Sequence, residues 1–265
     1  GHDGVYLTTK EQGRIPKRYD YVIVTASLGH LKKFHRKLFS PPLPRQKVAA
    51  IEKIGFGGNC KIFFRWEVPF WKNGTNYIAP LPVEGQARAS INAFETEMNT
   101  LEVVSWAPNT LMAFIGGAGH ELMDNMEDDE LSARITTLIR DMMNDQSTPP
   151  PSRIIRTKLT KNDLLLGSYS YLSKAQAQAG ISHSRLGIPI KVEGRPRVLF
   201  AGEATHHRLF QTTVGAYMSG RREADRIWKD FAPPMDLKKA TLKFDSKKSE
   251  CSFSCHKDNL VIQNA

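Results

Sequence analysis

The stretch that decides the fold is "LFAGEATHHRLFQTTVGAYMSGRREADRI", residues 199–227. An apolar strand runs into the pair Gly202-Glu203, and a short polar loop then leads into an amphipathic helix. Glycine at a strand end permits close approach of a ligand, and the free N–H groups of a helix start favour an anion or a polarised oxygen. An ordinary strand-loop-helix connection, with Glu203 as a cap or a surface acid, explains the same pattern.

The bulk composition indicates a globular protein. With 265 residues and 40% hydrophobic side chains, the chain can bury a core as one large domain or two interleaved ones. No apolar run approaches the roughly 20 residues that span a bilayer, and no signal-peptide centre occurs. Three cysteines, Cys60, Cys251 and Cys255, indicate a reducing compartment rather than a disulfide framework. The ending VIQNA is no peroxisomal address, so we expect a cytoplasmic or nuclear protein.

The net charge of +10 fits nucleic acid, an anionic membrane surface or an anionic ligand such as a dinucleotide. The basic residues are spread along the chain without zinc-finger spacing or an RNA-binding aromatic signature, which disfavours nucleic acid as the main partner. His206 and His207 have no partner at metal-ligand spacing. Cys251 and Cys255 with His256 have no second ligand pair, so no metal is expected.

Hydrophobic periodicity predicts an α/β chain with an amphipathic helix over 127–145, whose apolar residues at helical spacing are Leu131, Ile135, Leu138, Ile139 and Met142. A second helix over 212–231 is predicted to start near Thr212 or Thr213. We expect helix 47–54 to end at Gly55 and residues 236–265 to form a mobile tail. A short helix is predicted over 26–34. One side of helix 212–231, predicted to face inward, comprises Tyr217, Ala224, Ile227, Trp228 and Phe231. Strands are predicted over 20–25, 61–66, 87–95, 100–106, 110–117, 153–157 and 197–200.

Two further segments could carry chemistry. Lys61 follows the glycine-rich bend of GFGGNCKIFF at the head of an apolar strand. A lysine directed inward there would have a lowered pKa and could hold a water or act as a base, whereas an outward lysine at a strand start is the plainer interpretation. In GSYSY, Tyr169 and Tyr171 share one face of an extended segment, where they either wall a pocket or pack in the core.

Five segments, in order, resemble the flavin-dependent amine oxidases of the polyamine oxidase and spermine oxidase branch. They are YDYVIVTASLGHLK, LFSPPLP, AIEKIGFGGNCKIFFRWEVPFW, GSYSY and FAGEATHHRLFQTTVGAYMSGRREADRI, within residues 20–231. The resemblance implies a mixed α/β fold in which a Rossmann-like FAD-binding domain is interleaved with a substrate domain built on a mixed β-sheet. It assigns 1–42 and 167–232 to the FAD-binding domain and 43–166 to the substrate domain, while the polar composition of 233–265 predicts a disordered tail.

The resemblance also implies roles for individual residues. Lys61 matches the lysine that faces the flavin through a water and assists reoxidation by dioxygen. Gly202 and Glu203 match the pair beside the FAD phosphates and ribityl chain, and Thr213 and Val214 match the helix start that faces the flavin ring. Tyr169 and Thr212 match residues of the substrate channel. Ser168 stands where monoamine oxidases have a cysteine bound to the flavin, so the resemblance implies that FAD is bound non-covalently here.

The implied reaction oxidises a secondary amine of a polyamine to an imine, which water hydrolyses, while dioxygen becomes hydrogen peroxide. Several residues depart from the family pattern. No N-terminal GxGxxG segment occurs, so the chain resembles the C-terminal half of the enzyme. Leu159 stands where a tryptophan is expected, and Leu166 stands where an arginine is common. Val214 replaces the histidine of the THGA sequence that many polyamine oxidases have at this position. These changes weaken flavin seating and substrate recognition. A catalytically silent homologue or interaction module is therefore the alternative, and a basic nucleic-acid binder is a remote third.

Overall fold

The computed structural model describes residues 4–79, residues 97–231 and three strand segments beyond them. The predicted strand 87–95 lies outside the described residues. The strands are β1 Val5–Thr9, β2 Gly13–Tyr19, β3 Val22–Val24, β4 Gly55–Gly57, β5 Cys60–Arg65, β6 Tyr77–Ile78, β7 Met98–Val103, β8 Thr110–Ile115, β9 Arg153–Arg156, β10 Tyr169–Tyr171, β11 Ile190–Val192, β12 Arg195–Phe200, β13 Ala240–Asp245, β14 Glu250–Cys255 and β15 Asp258–Leu260. The helices are α1 Leu28–Leu38, α2 Arg45–Lys53, α3 Gly119–Asn125, α4 Asp128–Met143, α5 Lys174–Gln178 and α6 Thr213–Phe231, with 3-10 turns at Leu159–Lys161, His183–Arg185 and Glu203–Thr205.

The main core lies on one face of a five-stranded sheet of order β6-β7-β8-β5-β9, in which neighbouring strands are antiparallel. In β5 the side chains of Cys60, Ile62 and Phe64 are buried in this core, as the alternation of a half-buried strand requires. Helix α4 adds Leu131, Ile135 and Ile139 to the same core, whereas the other two predicted apolar residues, Leu138 and Met142, are half-buried. The predicted helix 127–145 and strand 61–66 are thus confirmed to within a few residues.

Cys60 is a fully enclosed thiol within this core. Its Sγ lies 3.6 Å from the carbonyl oxygen of Ile115 and 3.8 Å from Sδ of Met123. Burial, reinforced by the nearby carboxylate of Asp124 and opposed by Arg156, raises the pKa of the Cys60 thiol to about 12. The thiol is therefore uncharged at neutral pH.

The chain forms two compact units, each assembled from separate chain segments. One unit comprises Gly1–Ile23, Pro189–Leu199 and Gly220–Ala265, and the other comprises Val24–Ile188 and Phe200–Ser219. The mixed α/β character that the sequence predicts is confirmed. The predicted cofactor and substrate domains, 1–42, 43–166 and 167–232, stay predictions, because compactness alone does not identify which segments hold a cofactor.

The C-terminal segment is described in part. Strands β13, β14 and β15 form an antiparallel sheet in which β14 is central. The rest of residues 232–265 lies outside the described residues. The predicted mobile tail therefore stays a prediction for those residues, whereas the backbone of the three strands is paired.

Helix α6 forms where the sequence predicts it, but the predicted inward side is wrong. Tyr217, Trp228 and Phe231 are 66%, 53% and 73% exposed, whereas Gly215 and Ser219 are buried. A Cβ on Gly215 would lie 1.8 Å from the carbonyl oxygen of Leu209, so only glycine permits this backbone approach. Together with the charged Glu223, these small residues form the buried face of the helix at a spacing of four, and a pattern that weights large apolar side chains misses them.

Gly55 has a different role from the predicted one. Helix α2 ends at Lys53 with Ile54 as its C-cap, and Gly55 begins strand β4. A Cβ on Gly55 would lie 2.5 Å from the ring of Tyr171, which packs across the glycine from the paired strand β10. The helix ends just before Gly55, as predicted, but the glycine is not in the left-handed conformation of a helix cap and instead accommodates an aromatic ring.

Candidate active site

The start of helix α6 offers free backbone donors. Thr212 caps the helix, because its Oγ1 accepts a hydrogen bond from the Gly215 N–H at 2.9 Å. The exposed residues Thr213 and Val214 donate their backbone N–H groups to no other residue in the described part of the chain. A 19-residue helix places partial positive charge at this end. The geometry suits an anion or an electron-rich ring edge.

Gly202 lies beside this helix. Its φ is +116°, a conformation that side chains with a Cβ rarely adopt, and a Cβ there would meet nothing within 4 Å. Its N–H donates to Oγ of Ser219 at 2.8 Å, which ties the end of strand β12 to helix α6. The backbone at Gly202 is thus fixed on one side and open on the other.

Glu203 joins strand β10 to the loop before helix α6. Its Oε1 accepts from the N–H of Ser170 at 3.1 Å, and its Oε2 accepts from Oγ of Ser170 and from the N–H of Gln211, both at 2.7 Å. Ser170 is fully buried. The carboxylate therefore fixes the relative positions of β10 and the helix start, which is a structural role beyond its predicted place beside the cofactor.

Asn59 connects the glycine-rich turn to the GSYSY segment, and sequence reasoning missed it. Its N–H donates to Oγ of Ser168 and its Nδ2 donates to the hydroxyl of Tyr169, each at 2.9 Å. Oγ of Ser168 in turn donates to the carbonyl oxygen of Gly57 at 3.1 Å. Asn59 thus contacts two adjacent predicted site residues, Ser168 and Tyr169, and holds them beside the glycine-rich turn. The only available sequence signal was a polar residue inside GFGGNCK.

Lys61 follows Asn59 by two residues and points away from the core. Its side chain is exposed, and Nζ lies 4.9 Å from the ring centroid of Phe114, its partner on strand β8. The lysine is outward on its strand, which is the plainer of the two interpretations of the sequence. Its catalytic role stays a prediction.

His183 is a second residue that the sequence pattern did not single out. It is 1% exposed, and its ring stacks on that of Phe210 at 4.0 Å between centroids. Nδ1 lies 3.1 Å from Nε2 of Gln176, and Nε2 of the histidine has no hydrogen-bond partner among the described residues. Burial lowers the pKa of His183, and the charge of Glu203 opposes this shift. The histidine supports the loop that carries Gln211.

The histidine pair His206 and His207 forms a stacked contact with ring centroids 5.0 Å apart. Nδ1 of His206 accepts from the N–H of Leu209 at 2.9 Å, which gives this ring a place in the loop structure. The described ranges contain no cluster of three or more His, Cys, Asp or Glu able to hold a metal ion. The side chains of Cys251, Cys255 and His256 lie outside the part that the structure describes.

The residues that depart from the family pattern lie close to these elements in the chain. Leu159 begins the 3-10 turn Leu159–Lys161 and is half-buried. Leu166 has a φ of +56°, in the left-handed region that a leucine rarely adopts. Val214 is 56% exposed at the helix start.

No helix in the described residues has the length and apolar character needed to cross a membrane.

Comparison with known proteins identifies the family. The family described as flavin containing amine oxidoreductase matches residues 1–228. The chain is 36% identical over 217 residues to a peroxisomal N(1)-acetyl-spermine/spermidine oxidase of Bos taurus, covering 78% of this chain and 42% of the relative. It is 34% identical over 239 residues to the enzyme of that name from Homo sapiens, covering 86% and 46%.

A third relative is a possible lysine-specific histone demethylase 1 of Drosophila melanogaster, 30% identical over 223 residues, covering 78% of this chain and 24% of the relative. The chain spans less than half the length of all three relatives. The family match nevertheless extends through most of the chain, including the glycine-rich turn, GSYSY and the start of helix α6. The chain therefore belongs to the family of flavin-containing amine oxidoreductases, in its polyamine oxidase branch.

Proposed function

We propose that this chain is part of an FAD-dependent polyamine oxidase that oxidises a secondary amine of spermine, spermidine or an N-acetylated polyamine. The products are an aldehyde, an amine and hydrogen peroxide, with dioxygen as the electron acceptor. The observation that carries the proposal is the arrangement of Gly202, Glu203 and the start of helix α6, whose open donors suit a flavin. The names of the two oxidases from Bos taurus and Homo sapiens support the substrate class.

The residues present fit the cofactor. The space beyond Gly202 is free within 4 Å of where a Cβ would stand, so a bulky group can approach the backbone there. The N–H groups of Thr213 and Val214 are available to the electron-rich edge of a flavin ring. FAD, when bound, supplies the two-electron acceptor for amine oxidation. The serine at position 168 offers no thiol, which supports non-covalent binding.

Each residue then has a distinct role. Thr213 and Val214 stabilise negative charge through the positive end of helix α6, and Glu203 holds that end against strand β10. Tyr169, oriented by Asn59, and Thr212 are the residues that would line the substrate channel. Lys61 would face the flavin through a water and assist its reoxidation by dioxygen. A cytoplasmic or nuclear location completes the proposal.

A catalytically silent homologue is the second candidate function. Val214 is exposed at the helix start, and a half-buried Leu159 stands in place of the expected tryptophan. Both side chains lack polar groups that could bind a substrate or a flavin edge. In this case the fold is retained for interaction with another macromolecule and no oxidation takes place.

The decisive experiment measures flavin binding and peroxide release separately. The chain is mixed with FAD, passed through a desalting column and examined for bound-flavin absorbance, alone and after extension with an N-terminal dinucleotide-binding domain. The flavin-loaded protein is then given spermine, N-acetylspermine or spermidine, and hydrogen peroxide is measured. Peroxide from any of them supports the oxidase. Bound FAD with no peroxide from any of the three polyamines supports the silent homologue. Absence of bound FAD in both the chain alone and the extended chain contradicts the flavin site.

A further inference from the structure

The turn between strands β4 and β5 is closed by a histidine from elsewhere in the chain. A Cβ on Gly58 would lie 1.6 Å from Nε2 of His120, and also 1.8 Å and 2.1 Å from Cδ2 and Cε1 of the same ring. The ring edge thus occupies the place where any other residue at position 58 would have its side chain. Gly58 is required here by the histidine, since its φ is not in the left-handed region.

The histidine ring is itself held in place. Nδ1 of His120 lies 2.6 Å from the carbonyl oxygen of Gly117, so in the neutral ring Nδ1 donates and Nε2, over Gly58, carries no proton. Gly117 has a φ of +51°, and a Cβ there would lie 2.6 Å from the carboxylate carbon of Glu97. His120 is therefore fixed by the 116–117 bend, and the bend is packed against a carboxylate.

The turn that His120 covers is the one that orients the candidate substrate wall. The N–H of Asn59 donates to Oγ of Ser168, and its side chain donates to the hydroxyl of Tyr169. The N–H of Ser168 donates back to the carbonyl oxygen of Gly57 at 2.9 Å. Lys61 lies two residues after Asn59, in the part of strand β5 nearest the turn. A shift of the turn would therefore move Ser168, Tyr169 and the start of β5 together.

We propose that His120 is a positioning residue that locks the Gly58-Asn59 turn and, through Asn59, sets the position of Tyr169. As a contribution to substrate orientation, this inference rests on the proposed function. The locking of the turn is a property of the chain itself and is measurable without flavin or substrate. It assigns His120 no contact with the reacting atoms.

Amide hydrogen exchange of the 265-residue chain, measured residue by residue by NMR, tests the lock. His120→Ala should accelerate exchange at the N–H groups of Asn59 and Ser168 by about tenfold, because both hydrogen bonds depend on the position of the turn. Exchange at Ala113, in the middle of strand β8, should not change. His207→Ala, which removes an exposed histidine elsewhere, is the matched control and should leave all three sites unchanged.

A double variant tests the direct contact with Gly58. Gly58→Ala alone forces the His120 ring out of its place and should lower the melting temperature and accelerate the same two amides. Adding His120→Ala removes the clash, so the double variant should be less perturbed than Gly58→Ala alone. His120→Asn keeps a donor for Gly117 but does not reach Gly58, so it should behave like His120→Ala, whereas His120→Gln should partly restore protection.

Unchanged exchange at Asn59 and Ser168 in His120→Ala would overturn the proposal, as would a Gly58→Ala effect that is the same with and without His120. In a protein that oxidises polyamines, His120→Ala should raise KM about tenfold or more while kcat changes less, because substrate placement is affected rather than the chemistry. A protein that oxidises no polyamine contradicts the proposed function and leaves the exchange result to decide the lock.

Discussion

The core beneath the five-stranded sheet and the candidate site at the start of helix α6 belong to the same compact unit but are held together differently. In the core, Phe64, Ile62 and the inner face of helix α4 contact one another through apolar surface. At the site, one carboxylate, Glu203, accepts three hydrogen bonds from two segments. The stability of the core depends on how well apolar side chains fill its volume. The geometry of the candidate site depends on the direction of individual hydrogen bonds. Substitutions should therefore have different consequences in the two regions.

The largest expected effect is in the core. Phe64→Ala should lower the free energy of unfolding by about 3–5 kcal/mol, because a fully buried ring leaves a cavity that the sheet cannot close. Phe63→Ala, one residue earlier on the opposite and partly exposed face, should cost no more than about 1.5 kcal/mol. Urea unfolding of both variants gives the comparison. Equal losses would mean that the two faces of β5 do not differ as described.

The second effect is at the site. Glu203→Ala should cost about 2–3 kcal/mol, because it leaves the buried N–H and hydroxyl of Ser170 without their acceptor. Glu67→Ala removes an exposed carboxylate and should cost less than about 0.5 kcal/mol. Thermal unfolding followed by circular dichroism measures both. A loss no greater than that of Glu67→Ala would show that the three hydrogen bonds contribute little to stability.

A smaller, pH-dependent effect should come from His183. Its pKa in the folded protein lies below the ordinary value of 6.5 because the ring is buried. As pH falls below 6.5, the unfolded chain binds this proton first, so stability that is present above that pH is lost as pH falls through the folded pKa. His183→Phe keeps a ring against Phe210 and should reduce this loss. Urea midpoints between pH 7.5 and about 5 measure it, and identical slopes in both proteins would contradict the assignment.

The smallest effect on stability should come from Lys61. Because its ammonium group is exposed, Lys61→Met should change the free energy of unfolding by less than about 0.5 kcal/mol, like the exposed control Lys158→Met. In a flavin-loaded protein the same substitution should slow reoxidation of the reduced flavin by dioxygen, whereas Lys158→Met should not. Absorbance of the flavin after mixing with oxygenated buffer gives the rate. Unchanged reoxidation would remove the role proposed for this lysine.

The difference between the two regions also explains what the sequence predicts. Helix α4 and strand β5 follow hydrophobic periods of 3.6 and 2, so local pattern was sufficient to locate them. The predicted helix start near Thr212 is confirmed by its capping hydrogen bond, but the partners of Glu203 lie 33 residues before it and 8 residues after it. Asn59 and His183 are isolated polar residues without a period. Their importance arises only from contacts that the folded chain creates.

Helix α6 shows a further limit of pattern reasoning. The large apolar residues Tyr217, Trp228 and Phe231 suggested the inward side, yet the buried residues of this helix are Gly215, Ser219 and Glu223, none of which is a large apolar residue. Close backbone packing depends on the absence of side-chain volume, which a hydrophobic pattern does not record. The same reasoning applies to Gly58, where an absent side chain makes room for a histidine.

The enclosed thiol of Cys60 has a consequence for chemical durability. A thiol reacts with hydrogen peroxide as its thiolate, and a pKa of about 12 leaves almost no thiolate at neutral pH. The residue is also only 2% accessible to solvent. In a protein proposed to release peroxide, the burial and raised pKa of this thiol should therefore slow its oxidation by the product. Cys60, the residue before Lys61 in strand β5, is thus protected from a reagent that the proposed reaction would generate.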